Sequence, residues 1–118
     1  MRAVVLFAHG SRDPLWRQPL EAVAQRMRDQ QPLTRVETAY LELCEPDLTA
    51  TVARLVASGI RHITVLPRFF GMGTHAREDL PALLDALRRE HPGVTLDALP
   101  AVGEHPAVIE VLASLPFR

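Results

Sequence analysis

The sequence contains no lysine; all 13 of its basic residues are arginine. A genome rich in G and C accounts for such a bias, but it has a chemical consequence. Any anion site in this chain must use a planar guanidinium, which grips a carboxylate or phosphate through two parallel hydrogen bonds. Cysteine is nearly missing too. Cys44 stands alone, so no internal disulfide can form, which fits a reducing compartment. No stretch reaches the ~18 apolar residues that cross a bilayer. The opening MRAVVLFAHGSRD is apolar for too short a run to serve as a secretory signal, and reads instead as the first strand of a cytoplasmic protein. A net charge of −1 lacks the basic surplus of a nucleic-acid binder. No linker and no internal repeat is evident, so residues 1–118 read as one domain with a single modest core.

What is present is an alternation of short β-like runs and helical patterns. AVVLFA (3–8) is continuously apolar, as a strand buried on both faces should be. Residues 14–30 carry Leu20, Val23, Ala24 and Met27 at helical spacing, with Pro14 and Pro19 near the start. VETAYLEL (36–43) reads as the second strand. Residues 45–59 read as the second helix, closed by Gly59. HITVLP (62–67) is the third strand, 76–93 holds the third helix up to Pro92, VTLDAL (94–99) is a weaker fourth strand, and 104–116 forms a last short helix. This order predicts an α/β fold: a four-stranded parallel sheet with helices on both faces. With right-handed crossovers the simplest strand order is 2-1-3-4.

In such sheets ligands bind beyond the carboxyl ends of the strands, where the strand order reverses. Here that point lies between strands one and three. His9 follows strand one in HGSRDP, and His75 follows strand three in PRFFGMGTHAREDLP. Two histidines far apart in sequence are thereby expected to face one crevice. Glu42, at the end of strand two, is the candidate third member, since one strand spacing is about 4.8 Å. Two imidazoles with an optional carboxylate suit a divalent cation open to solvent, or proton transfer near neutral pH. Gly71 and Gly73, around Met72, allow backbone to approach a large flat ligand. Arg12, Arg68 and Arg77 flank the same loops and point to an anionic ligand, with Ser11 as an added hydroxyl. Asp13 and Asp79 read as helix caps or first-turn acids. Trp16 either packs on the sheet or lies over the mouth of the site, and Met72 either fills the loop or walls the pocket. His62, His91 and His105 read as structural or solvated.

The runs LFAHGSRDP, YLELCEP and GIRHITVLPRFFGMGTHAREDLP together resemble the small CbiX-type sirohydrochlorin chelatases, of the class II chelatase family. The resemblance covers nearly the whole chain and implies a single chelatase-like domain. It implies insertion of a divalent metal, usually Co(II), into sirohydrochlorin on the route to cobalamin; relatives use Fe(II) or Ni(II). His9 and His75 match the metal-contacting histidines, as ligands and as acceptors of pyrrole protons, and Glu42 matches the strand-two glutamate. The eight ring carboxylates would meet Arg12, Arg68 and Arg77, and Phe69, Phe70 or Met72 would press on the ring. The metal is then a substrate, with no resident cofactor. The small form of the family implies a homodimer. A histidine-rich storage segment found in some members is missing here. Two rivals use the same residues: a metal or tetrapyrrole carrier without turnover, and an iron chelatase for sirohaem. A phosphate-binding protein with HGSR as its anion loop is a third. Histidine phosphatases place arginine before the histidine, where this chain has Ala8.

Overall fold

The computed structural model describes residues 2–70 and 73–118, with the side chains of all but 74–77. The strands are β1 (Arg2–Ala8), β2 (Arg35–Tyr40), β3 (His62–Pro67) and β4 (Thr95–Ala98), and the α-helices are α1 (Gln18–Gln30), α2 (Leu48–Ala57), α3 (Thr74–Glu90) and α4 (Pro106–Ser114). Short 3-10 turns occupy Pro14–Arg17, Val102–Glu104 and Leu115–Phe117. All pairings are parallel, and the order is β2-β1-β3-β4, as expected. Among the described residues no helix is long and apolar enough to cross a membrane.

The core lies on both sides of the sheet. On one side Ala3, Val5, Phe7, Ile63, Val65 and Leu96 meet the inner stripes of α2 (Leu48, Val52, Leu55) and α3 (Leu80, Leu84, Leu87). On the other, Leu6, Ala8, Val36 and Tyr40 meet Leu20 and Ala24 of α1. β1 supplies alternate residues to both, which is why it reads as an unbroken apolar run. Gly59 ends α2 as expected. At φ +93° its amide bonds Val56 and the next amide, of the buried Ile60, bonds Leu55, the paired closure that glycine permits.

Several boundaries differ from the expected ones. β2 stops at Tyr40, because the chain turns at once. The Tyr40 amide bonds the Pro46 carbonyl, and Leu43 sits in the left-handed region (φ 67°) inside a tight turn closed by Cys44 N–H to Glu42 C=O. Glu42 is thus a loop residue just past the strand. α2 starts at Leu48, where the Asp47 side chain accepts from the Ala50 amide. α3 starts at Thr74 with Gly73 as N-cap, so Asp79 lies inside the helix and caps nothing, whereas Asp13 does cap, accepting from the Leu15 amide.

A repeat that is hidden in the sequence emerges from the register. Val4 pairs with Val36, and Ile63 pairs with Leu96. From α1 onward the second half follows the first sixty residues later: Leu20 and Leu80, Ala22 and Ala82, Arg28 and Arg88, Pro32 and Pro92, Val36 and Leu96. Because β1 maps onto β3 with one residue fewer, a single period misses it, and the expectation of no repeat is corrected. The two β-α-β halves place their helices on opposite faces, so a pseudo-twofold runs along the strands between β1 and β3. The most specific shared contact is an arginine in the last turns of each helix. Arg28 donates through Nε and Nη2 to the Val36 carbonyl (3.3 and 2.8 Å), and Arg88 does the same to the Leu96 carbonyl (2.9 and 2.7 Å). Both carbonyls lie on edge strands, whose unpaired polar groups invite association with other chains.

Arg28→Ala and Arg88→Ala are each expected to lower stability by roughly 1–3 kcal/mol, read as a lower urea midpoint at unchanged slope. Unchanged midpoints in both would mean that water satisfies these carbonyls equally well.

Candidate functional site

The carboxyl end of β1 organises the site. Three successive carbonyls there accept amides from loops on either side: Phe7 from Arg68 (2.7 Å), Ala8 from Leu41 (2.8 Å) and His9 from Glu42 (2.8 Å). The loops after β1, β2 and β3 are therefore stitched together by main chain, whatever their side chains do. Gly10 makes the closest approach possible. At φ +109° it lies directly under the Glu42 carbonyl, and a Cβ there would overlap that oxygen.

On this frame the His9 imidazole stands at the crevice between β1 and β3. Its Nδ1 lies 3.9 Å from Oε1 of Glu42, and both side chains are 57% exposed. The ring rests against Phe69 at a centroid distance of 4.5 Å and a tilt of 52°. Phe69 is itself 3% exposed and meets Phe7 edge-on at 6.0 Å. It is the floor beneath His9, and the aromatic turned to solvent is its neighbour Phe70, 74% exposed. A hydrogen bond from the Gly103 amide to the Phe69 carbonyl (2.9 Å) holds this loop from the far side. A Cβ on Gly103 would strike the Phe70 backbone.

The remaining sequence candidates fall as follows. The Ser11 hydroxyl accepts the Asp13 amide at 3.0 Å, shaping the loop. Arg12 is exposed beside it. Arg68 is exposed, with its guanidinium carbon 5.8 Å from the centre of the Trp16 ring, so Trp16 both packs on the α1 side and carries an arginine at the rim. Gly73 caps α3. His75 and Arg77 follow in the first turn of that helix, with side chains outside the described set, and Met72 lies outside the described residues. Among the described residues no three His, Cys, Asp or Glu side chains converge. The other histidines have local partners. His62 Nε2 pairs with Asp97 at 3.1 Å, His91 caps α3 with Nε2 4.0 Å from Glu90, and His105 Nδ1 accepts the Ala107 amide. Sequence reasoning missed the roles of Gly10 and Gly103. Their signal is a close backbone approach, which leaves no pattern in a single chain.

Gly10→Ala should cost roughly 2–4 kcal/mol, because strain and overlap act together. Gly93→Ala, where a Cβ meets nothing within 4 Å, should be near neutral. Matching melting temperatures for the two variants would disprove the close approach.

Comparison with known proteins extends these observations. A CbiX protein from Marinobacter aquaeolei superposes with a TM-score of 0.85 at 32% identity, over 99% of this chain and 95% of that one. The cobalt complex of the sirohydrochlorin chelatase SirB from Bacillus subtilis shares the fold at a TM-score of 0.80 and 23% identity, over 98% of this chain and 50% of that one. Among curated relatives, the sirohydrochlorin cobaltochelatase of Methanopyrus kandleri is 39% identical over 84 residues, 71% of this chain and 59% of that protein. The same-named proteins of Methanococcus aeolicus and Methanocaldococcus jannaschii are matched over 63% and 64% of their lengths, so the match spans about three-fifths of these relatives. The CbiX family model matches residues 3–115. That match takes in all four helices and, but for Arg2, all four strands, and the chain belongs to the CbiX family.

Proposed function

We propose that this chain inserts a divalent metal, Co(II) before Fe(II) or Ni(II), into sirohydrochlorin, working in the cytoplasm as a homodimer. One observation carries the reading: an exposed imidazole at the switch point of a parallel sheet, seated on Phe69, with a carboxylate beside one of its nitrogens. The names of the curated relatives support the substrate and the metal.

The reaction replaces two pyrrole N–H protons by one M(II), and two protons leave. With Nδ1 of His9 turned towards Glu42, Nε2 is left for the incoming metal or for a proton. Glu42, whose Oε1 stands 3.9 Å from Nδ1, adds negative charge where a cation must shed water. His75, from the first turn of α3, supplies a second nitrogen in this reading, and the metal passes through as substrate. An exposed site is what the chemistry needs, since both the ring and the metallated product are bulky. Arg12 and Arg68 hold ring carboxylates at the rim, Arg68 steadied by Trp16. Arg77 is assigned the same task. Phe70, rather than the buried Phe69, offers the apolar surface against the macrocycle.

An anaerobic absorbance time course with sirohydrochlorin and Co(II), Fe(II) or Ni(II) tests the activity. Conversion over many turnovers above the protein-free rate is expected. A spectral change that stops at one ring per site would make the chain a carrier. His9→Ala and His75→Ala should each reduce insertion at least ~100-fold with the fold retained. Full activity in both would remove the assignment. Arg68→Ala should raise KM for the tetrapyrrole several-fold and leave that for metal unchanged; equal changes in the two would count against a carboxylate contact.

A further inference from the structure

The pseudo-twofold passes between β1 and β3, through the crevice, so residues at its mouth have counterparts across it. Along the strands His9 corresponds to Arg68, and at the helix starts Leu15 corresponds to His75 and Arg17 to Arg77. The two members of the strand pair face opposite sides of the sheet. Ala3, Val5 and Phe7 of β1 look towards α2 and α3, and His9 continues their row to Phe69. Leu66 of β3 packs on the α1 side with Trp16, and Arg68 continues its row to the Trp16 ring. The helix that carries His75 in its first turn lies on the His9 side, and the turn that carries Leu15 and Arg17 leads into α1 on the Arg68 side. The end of the sheet thus divides the mouth in two. Places taken by histidine on one side are taken by arginine and leucine on the other.

The α1 side is built as one unit. The Arg68 guanidinium carbon lies 5.8 Å from the centre of the Trp16 ring, Trp16 lies 6.2 Å from Tyr40, and the Arg17 guanidinium carbon lies 5.8 Å from Tyr40. Two cations therefore end one aromatic pair. Tyr40 is buried at the end of β2 among residues of α1, which gives the pair a fixed base. An aromatic face holds the cation and leaves the N–H edge of the guanidinium for paired hydrogen bonds to a carboxylate. Among the described residues Arg12, Arg17 and Arg68 form no ion pair, although Asp13 and Glu21 are close in sequence. Like charges gathered on one edge repel, and an anionic ligand relieves them. Leu15 stands beside them, 67% exposed.

We propose that this α1 edge is the subsite for the carboxylates of the tetrapyrrole. Arg17 is a further carboxylate-binding residue there, Leu15 an apolar contact, and Trp16 a positioning residue that acts through Arg68. The inference rests on the chelatase reading above and divides its site, with the metal on the His9 side and the ring anions on the other. The division has a chemical reason. Carboxylates are themselves ligands for divalent cations, so ring carboxylates free to reach the histidines would compete for the metal. Arginines on the opposite face hold them away and leave the pyrrole nitrogens as the donors that the metal meets next. Two guanidiniums on one rigid aromatic base also fix the rotation of the ring, which a single exposed arginine does not.

Two titrations read the two sides separately: sirohydrochlorin into the metal-free protein, and Co(II) into the ring-free protein. Arg17→Gln and Trp16→Leu should each weaken ring binding roughly ten-fold and leave Co(II) binding within ~2-fold. His9→Ala should do the reverse. Trp16→Phe keeps an aromatic face under Arg68 and should restore ring binding, which separates positioning from packing. Arg89→Gln removes the same charge from the last turn of α3, at the other end of the molecule, and should change neither titration. Ring affinity unchanged in Arg17→Gln, an equal loss in Arg89→Gln, or Co(II) binding weakened as much as ring binding would each overturn the subsite. Turnover is measured separately. A chain that binds the ring through Arg17 without inserting metal refutes the chelatase and keeps the subsite, and insertion with ring affinity indifferent to Arg17 does the opposite.

Discussion

Everything at the candidate site hangs on the last three carbonyls of β1. A central parallel strand has neighbours on both sides, and where it ends its final carbonyls still need donors. Phe7, Ala8 and His9 take theirs from Arg68, Leu41 and Glu42. That brings segments from three parts of the chain to one point and puts Glu42 beside the His9 ring. Gly10 is the local condition for the arrangement, since any side chain there would force the Glu42 carbonyl away. The chemistry proposed here needs a histidine that is exposed yet aimed. The main chain does the aiming, and Phe69 supplies a rigid seat.

The pseudo-twofold shows how two similar β-α-β halves came to differ in use. Both keep the helix stripe and the arginine that caps an edge carbonyl, because these are conditions of stability. They part at the loops after β1 and β3 and at the sheet surface beneath the final helix. The buried stripe of α2 joins Ala3, Val5 and Phe7 in the core, whereas α4 is apolar and buries none of its residues. One half completes the core, and the other leaves Val111, Leu112 and Leu115 at 40–51% exposure among the described residues.

By itself the sequence determined the sheet order and its switch point. Period, strand length and connection length admit few alternatives for a parallel sheet of this size. It also singled out His9 and His75, because a strand end that only turns a corner needs no imidazole, and offered Glu42 as a third member from its place at the end of the neighbouring strand. Only the tertiary structure decided the rest. β2 ends early because the chain makes a turn at Leu43 that β-propensity does not register. Phe69 and Phe70 are adjacent and alike in sequence, yet one is a floor and the other a surface, since loop direction is set by hydrogen bonds to β1 and to Gly103. The repeat and the bare face of α4 depend on which side of the sheet each residue takes, and a one-residue shift between β1 and β3 hides that from any linear reading.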